Sequence, residues 1–379
     1  MTVRTHALYQ PWSVRNLELR NRFVMSPMTR NFSPGGVPGP DVARYYARRA
    51  AGEVGLIVTE GVGVDEQQAI DSPRIPVMHG DEAMAGWKAV VDAVHAAGGK
   101  IVPQLWHQGA MRDPDISDNP QWRGHRPSGL WGTVGNTSSP ADYVARMEAP
   151  HAPMTDEEIA DSIAAFGRSA RRAIDVGFDG IAIHGAHGYL IDTFFWADTN
   201  RREDRYGGDA AARARFGVDI VAAIRREIGE DYPIFFRFSQ HKQQDYDAEI
   251  ATTPDELAAI LVPLAEAGVD VFDASIRRFN RRVFGEEHTL AGWARRLTGK
   301  ASMAVGGVGM NNWLRDMATG RGETLSVDNL DEVEQLFDAG EFDLVAVGRA
   351  LINDPEWTRR AVAGEAFAPF ERDRLARLE

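Results

Sequence analysis

The stretch Gly180-Ile181-Ala182-Ile183-His184-Gly185-Ala186-His187-Gly188-Tyr189 decides how this chain folds. A short apolar run after Gly180 has the pattern of a buried strand, and it ends in two histidines and a tyrosine where strand gives way to loop. If His184 keeps extended geometry and the chain turns at Gly185 or Gly188, both imidazoles and the Tyr189 phenol reach one pocket. Two imidazoles supply N–H donors and a phenol supplies a proton. The plainer alternative is a pair of core or surface histidines. A metal site lacks a third ligand at ligand spacing, so none is expected.

The same unit repeats on both sides. Short apolar runs at 21–29, 54–61, 100–107, 233–239, 269–275, 301–307 and 344–349 alternate with helical periodicity at about 38–51, 81–97, 155–177, 213–228, 254–267 and 326–339, with a shorter helix near 287–297. Thr155-Asp156-Glu157-Glu158 is a capping box, and Thr253-Pro254-Asp255-Glu256 opens another helix with its cap and an N1 proline. Pro103 lacks the N–H that a central ladder uses, which predicts a bulge or register break in the third strand. Eight strand–helix alternations point to a parallel sheet covered by helices, closed as an α/β (β/α)8 TIM barrel. No G-x-G-x-x-G follows the first strand, against a doubly wound dinucleotide fold. One domain over 1–379 is expected, with 108–153 as a lid-like excursion over the active-site face.

Composition bounds the function. A formal charge of -13 opposes a nucleic-acid partner, and zero cysteines exclude disulfides, thiolate metal sites and cysteine nucleophiles. Segment 1–11 has no apolar signal region and no run long enough to span a membrane occurs, so a cytoplasmic protein is expected.

Active sites of such barrels lie at the C-terminal strand ends. Those ends carry Pro27 to Thr29, Gly61, Gln104, His184 with His187, Arg237, Gly306-Gly307 and Gly348-Arg349. The two glycine-bearing ends close strands seven and eight, where barrels often bind phosphate through backbone N–H groups; simple turns are the alternative. Thr29, Gln104 and Arg237 together would edge a flat heterocycle bearing carbonyls and ring nitrogens. Arg237, inside an apolar strand, requires an anionic or carbonyl partner.

R-x-V-M-S-P-M-T at 22–29, P-Q-L-W-H at 103–107, H-G-A-H-G-Y-L at 184–190, R-E-D-R-Y-G-G at 202–208 and V-G-R-A-L at 347–351 give the chain its resemblance to the old yellow enzyme family of FMN-dependent ene-reductases. The resemblance implies a TIM barrel holding FMN at its strand ends. It implies that Ser26, Pro27, Met28 and Thr29 line the flavin, with Thr29 near O4, Gly61 against the ring, Gln104 at the pyrimidine edge and Arg237 near N1 and O2. Gly306, Gly307, Gly348 and Arg349 would bind phosphate; His184 and His187 would hold the substrate's carbonyl or nitro oxygen, and Tyr189 would protonate the alkene. The implied activity is hydride transfer from NADPH or NADH, through FMN, to the C=C bond of an electron-poor alkene, in two steps at one site.

The sequence departs from one branch of the family, which has a cysteine and then a tyrosine where this chain has Thr29 and Asn31; Thr29 matches the branch that uses threonine. The multidomain reductases with an iron–sulfur cluster need a cysteine run after the barrel, so electrons are expected to come directly from the nicotinamide. The basic run Arg277-Arg278-Phe279-Asn280-Arg281-Arg282 is either a solvated loop or a reader of an anion such as the NADPH 2′-phosphate. Trp106, Trp131 and Trp196 are pocket walls or packing. An oxidative dehydrogenase of amines or ketones and a flavin redox sensor are the competing functions, and the sequence leaves a homo-oligomer open.

Overall fold

The computed structural model describes residues 5–285, 287–312 and 322–378. The first four residues of the segment read for a signal lie outside them. A hairpin of β1 (Trp12–Val14) and β2 (Leu17–Leu19) opens the chain. β3 (Phe23–Met25), β4 (Leu56–Gly63), β5 (Ile101–Trp106), β6 (Ile181–His184), β7 (Ile234–Ser239) and β8 (Val271–Ser275) follow as parallel neighbours. After a small hairpin of β9 (Arg282–Val283) and β10 (His288–Thr289), β11 (Ala301–Val305) and β12 (Leu344–Val347) close the barrel back onto β3. The expected eight-stranded parallel barrel is therefore what the chain builds.

Strand periodicity divides each strand between two cores. Ile181 and Ile183 pack outward into the strand–helix layer, while Ala182 joins Val24, Val58, Val102, Phe235, Val271, Met303 and Ala346 inside the barrel. Leu17 and Leu19 of the first hairpin belong to that inner cluster and plug the N-terminal mouth. Burying a side chain such as Phe235 contributes on the order of 2 kcal/mol.

α1 (Pro40–Ala51), α2 (Asp81–Ala96), α3 (Ala141–Met147) and α4 (Asp156–Asp175) precede β6, and Thr155 and Glu158 form the expected capping box of α4. α5 (Leu190–Phe195), α6 (Ala210–Ile228), α7 (Pro254–Ala267) and α8 (Leu290–Thr298) follow it. Pro103 has its register break: between the pairs Val58↔Val102 and Gly61↔Gln104, β4 carries one more residue than β5. The Thr59 hydroxyl accepts the Gln104 N–H there at 3.1 Å, so no buried donor is lost.

Two departures have physical causes. α5 falls where no helical pattern is expected, because its six residues are all buried and show no apolar stripe. The β9–β10 hairpin precedes α8 where only loop is expected; two-residue strands are too short to show a period. The excursion 108–153 holds α3 and turns at Gly109–Met111 and Pro114–Ile116. It reaches the β7–α7 connection, where Thr137 Oγ1 donates to the Gln243 carbonyl at 2.6 Å. Among the described residues no helix is long and apolar enough to cross a membrane.

Candidate active site

The inner face of the barrel changes character two residues beyond its apolar layer. Val24, Val102, Ala182, Phe235 and Val271 are followed, with the same parity, by Ser26, Gln104, His184, Arg237 and Asp273. Strand register puts His184 beside Arg237 and Arg237 beside Asp273, at one height. Above them, Pro27, Met28, Thr29, Gly61, Gln104, Trp106, His184, His187, Tyr189 and Arg237 enclose a cavity of about 140 Å³. The sequence-expected residues of the first five strand ends thus share one space, with Trp106 added, and Ser26 behind it. A larger groove of about 830 Å³ lies outside the barrel between α4 and α6, away from these groups.

Arg237 has its partner within the protein. Its Nε donates to Asp273 Oδ2 at 2.6 Å and Nη2 to Ser26 Oγ at 3.1 Å. The buried cation is thus compensated without a ligand, which accounts for its presence in an apolar strand. Gln104 Nε2, by contrast, is buried without a hydrogen-bond partner. A buried amide donor costs about 1–3 kcal/mol when unpaired, and this one, in the cavity wall, fits a carbonyl or ring nitrogen. Gly61 has a different reason to be glycine: a Cβ would approach the Trp106 ring to 2.3 Å.

Both histidines are held neutral. Burial is the main cause pushing His184 and His187 well below the usual imidazole range, with Arg237 adding to it for His184 and His241 for His187. The Ala186 N–H approaches His184 Nδ1 at 3.4 Å, which leaves Nε2 as the N–H donor of a neutral ring. His187 has φ +66°, a geometry that costs a non-glycine residue about 1–2 kcal/mol. Ser239 Oγ, accepting the His187 N–H at 3.0 Å, and Ser275 Oγ, 2.8 Å from Nε2, hold it there. Gly188 donates to Asp192 Oδ2 at 2.6 Å, and a Cβ on it would meet Gln244 Oε1 at 1.9 Å. Asp192 pairs with Lys242 at 2.8 Å, both side chains fully out of solvent. The Tyr189 ring lies edge-on to His184 and Trp106, with centroids at 4.8 and 4.9 Å, and burial raises its phenol above the ordinary range.

Glu60 braces the turn that carries Thr29. Its Oε2 accepts the Arg30 and Asn31 N–H groups at 2.8 and 3.3 Å, and burial pushes its carboxyl up to about 7.

The remaining expected residues form a neighbouring group. Gly306 and Gly307 line a cavity of about 60 Å³ with Arg277, Arg278, Asn311 and Asn312. Both glycines have positive φ, and a Cβ on Gly306 would meet the Ile276 carbonyl at 2.1 Å, so the pair is also a required turn. Arg349 reaches Asn312 Oδ1 at 3.1 Å, and a Cβ on Gly348 would lie 3.5 Å from Met28 Sδ. Of the three tryptophans only Trp106 lines the first cavity; Trp131 packs with Ala110, Met111 and Met147, and the Trp196 ring lies against Gly132.

Asp273, Ser275, Lys242, Gln243 and Asp192 went unread in the sequence. Asp273 and Ser275 had a signal, since both share the inner parity of Val271 on β8; Asp192 lies on α5 and Lys242 and Gln243 in the connection after β7, and these meet only in the folded chain. Among the described residues, Glu66, His107 and His125 are close enough to share an ion. The Gly109 N–H occupies His107 Nδ1 at 3.0 Å, and the other ring nitrogen, Nε2, faces Glu66 Oε2 at 3.4 Å. Glu66 Oε1 lies 3.3 Å from His125 Nδ1, so the carboxylate sits between two imidazoles.

Known proteins place this architecture. A sequence model of the NADH:flavin oxidoreductase / NADH oxidase family matches residues 7–366. The chain is 34% identical over 364 residues to the NADH oxidase of Thermoanaerobacter brockii, covering 94% of this chain and 51% of that protein. It therefore spans about half the length of that relative. It is 39% identical over 219 residues to the putative 12-oxophytodienoate reductase-like protein 1 of Arabidopsis thaliana, covering 58% of this chain and 64% of that one. The fold matches the old yellow enzyme homologue from Zymomonas mobilis with a TM-score of 0.78 at 24% identity, over 98% of this chain and 96% of that chain. The chain belongs to the NADH:flavin oxidoreductase / NADH oxidase family, the old yellow enzyme family that its motifs resemble.

Proposed function

We propose that the strand-end cavity holds FMN and that the protein uses NADPH or NADH to reduce the C=C bond of electron-poor alkenes: enones, enals, maleimides or nitroalkenes. The observation that carries this reading is the convergence on one cavity of two neutral imidazoles, a buried phenol and the unpaired Gln104 amide. Bound FMN would supply the hydride chemistry, taking hydride from the nicotinamide and passing it to the alkene.

The chain's own residues do the rest. Ser26 to Thr29, Gly61, Gln104 and Arg237 would hold the ring, and Gly306, Gly307, Gly348 and Arg349 its phosphate. Arg237, fixed by its ion pair with Asp273, presents its remaining N–H donors where negative charge would develop on the ring. His184 and His187 donate N–H groups to the carbonyl or nitro oxygen as charge builds on it. Tyr189 supplies the proton at the neighbouring carbon, and its raised pKa keeps it protonated at neutral pH. A placed proton donor favours reduction over the oxidative reading.

The test is turnover of 2-cyclohexen-1-one by FMN-reconstituted protein with NADPH or NADH. Tyr189→Phe is expected to lower kcat by about 10²–10⁴-fold while flavin stays bound. Equal turnover in the variant removes Tyr189 from the chemistry; failure to bind FMN removes the cofactor assignment.

A further inference from the structure

We propose that Gln243 is a positioning residue for proton delivery: its side-chain amide donates to the Tyr189 oxygen, directs the phenol's own proton toward the cavity, and holds that oxygen once the proton has left. This rests on the reading of Tyr189 as proton donor. Gln243 Nε2 lies 2.6 Å from Tyr189 Oη. A phenol oxygen that accepts from an amide N–H must turn its single O–H elsewhere, and the cavity is lined by this same tyrosine.

The contact is built rather than incidental. The Gln243 N–H donates to the His187 carbonyl at 3.2 Å, and its own carbonyl accepts from Thr137 Oγ1 at 2.6 Å. On one side, Lys242 is locked to Asp192 and forms a bridge with His187; on the other, Gln244 Nε2 donates to the Trp131 and Gly188 carbonyls at 3.1 and 3.3 Å. The backbone on which the amide stands is thus tied to the turn that carries His187 and Tyr189. Burial raises the phenol, and the amide N–H is the opposing influence that eases loss of its proton.

In the step itself the O–H bond of Tyr189 breaks, its electron pair stays on Oη, and a C–H bond forms at the alkene carbon next to the activating group. The amide keeps its proton and donates to the resulting phenolate, a charge-assisted bond stronger than the one it replaces. Water then returns a proton to Oη.

The experiment follows the two half-reactions separately by anaerobic stopped flow, using FMN-reconstituted protein, NADPH and 2-cyclohexen-1-one. Gln243→Leu is expected to slow alkene reduction about tenfold, the loss of one such hydrogen bond, with a larger solvent deuterium effect and an unaltered rate of flavin reduction. Gln243→Glu is expected to slow it further, because a carboxylate accepts the phenol's proton and turns it away from the cavity. In a Tyr189→Phe background Gln243→Leu should change nothing. The proposal is overturned if Gln243→Leu matches wild type while Tyr189→Phe is slow, if both half-reactions slow alike, or if the effect persists without the phenol. A Tyr189→Phe variant as fast as wild type overturns the proton-donor reading itself, and this proposal with it.

Discussion

Toward its N-terminal mouth the barrel interior is Val24, Val102, Ala182, Phe235 and Val271, closed by Leu17 and Leu19 of the first hairpin; two residues further along the same strands it is Ser26, Gln104, His184, Arg237 and Asp273. One backbone and one alternation make both layers. The lower layer is satisfied by contact alone, whereas every polar group of the upper layer needs a partner, and the ends of neighbouring strands supply most of them. Arg237 finds Asp273 and Ser26, and His187 finds Ser239 and Ser275, while Gln104 Nε2 finds none. The difference separates what holds the barrel together from what it can act with.

The hardest break to this division comes from the ion pair beneath the His187 turn. Lys242→Met leaves Asp192 buried and uncompensated, and is expected to cost about 3–5 kcal/mol in urea unfolding. Adding Asp192→Leu should restore part of that, since an apolar pair removes the stranded charge; a double variant weaker than the single would refute the account.

Exchange between the layers comes next. Phe235→Ala should cost about 3–5 kcal/mol of stability while folded molecules keep their turnover. His184→Ala should do the reverse, lowering kcat by about 10²–10³-fold with a small change in unfolding midpoint. Both variants losing the same property would erase the distinction between the layers.

Acid then discriminates more gently. Burial, with His107 adding to it, holds His125 down to about 4, and burial holds His241 down to about 3. These rings stay neutral in the fold but protonate in the unfolded chain near pH 6.5, so their stability is complete above that pH and lost as pH falls toward 4 and 3. The midpoint of thermal unfolding should drop across that window by the equivalent of several kcal/mol, and His125→Asn should flatten the slope. A flat profile in wild type contradicts it.

The smallest effect lies outside both layers. Replacing Arg277 and Arg278 with alanine is expected to raise KM for NADPH a fewfold, about 1 kcal/mol, and leave KM for NADH nearly unchanged. Equal shifts for the two donors would return that loop to the solvated alternative.

Much of this was legible in the chain because it depends on local period. Ile181 to His184 gave the strand and the height of its histidine, Pro103 announced a register break, and glycines marked the turns. The hidden part depends on elements meeting across the barrel rim. Nothing in Lys242-Gln243-Gln244 distinguishes it from a polar loop until β7 and β6 bring it against Asp192 and Tyr189. Asp273 lies between those cases, since parity puts it inside but only the β7–β8 register assigns it to Arg237. α5 escaped because burial on all sides removes the stripe by which a helix is read.

The most direct test of the central claim is to add NADPH anaerobically to the FMN-reconstituted protein, follow the flavin absorbance, and then add 2-cyclohexen-1-one. The account predicts that the yellow band bleaches and then returns, with return slowed in His184→Ala and Tyr189→Phe. A band that bleaches and stays bleached with enone present would contradict alkene reduction at this site, and a protein that takes up no flavin would contradict the site itself.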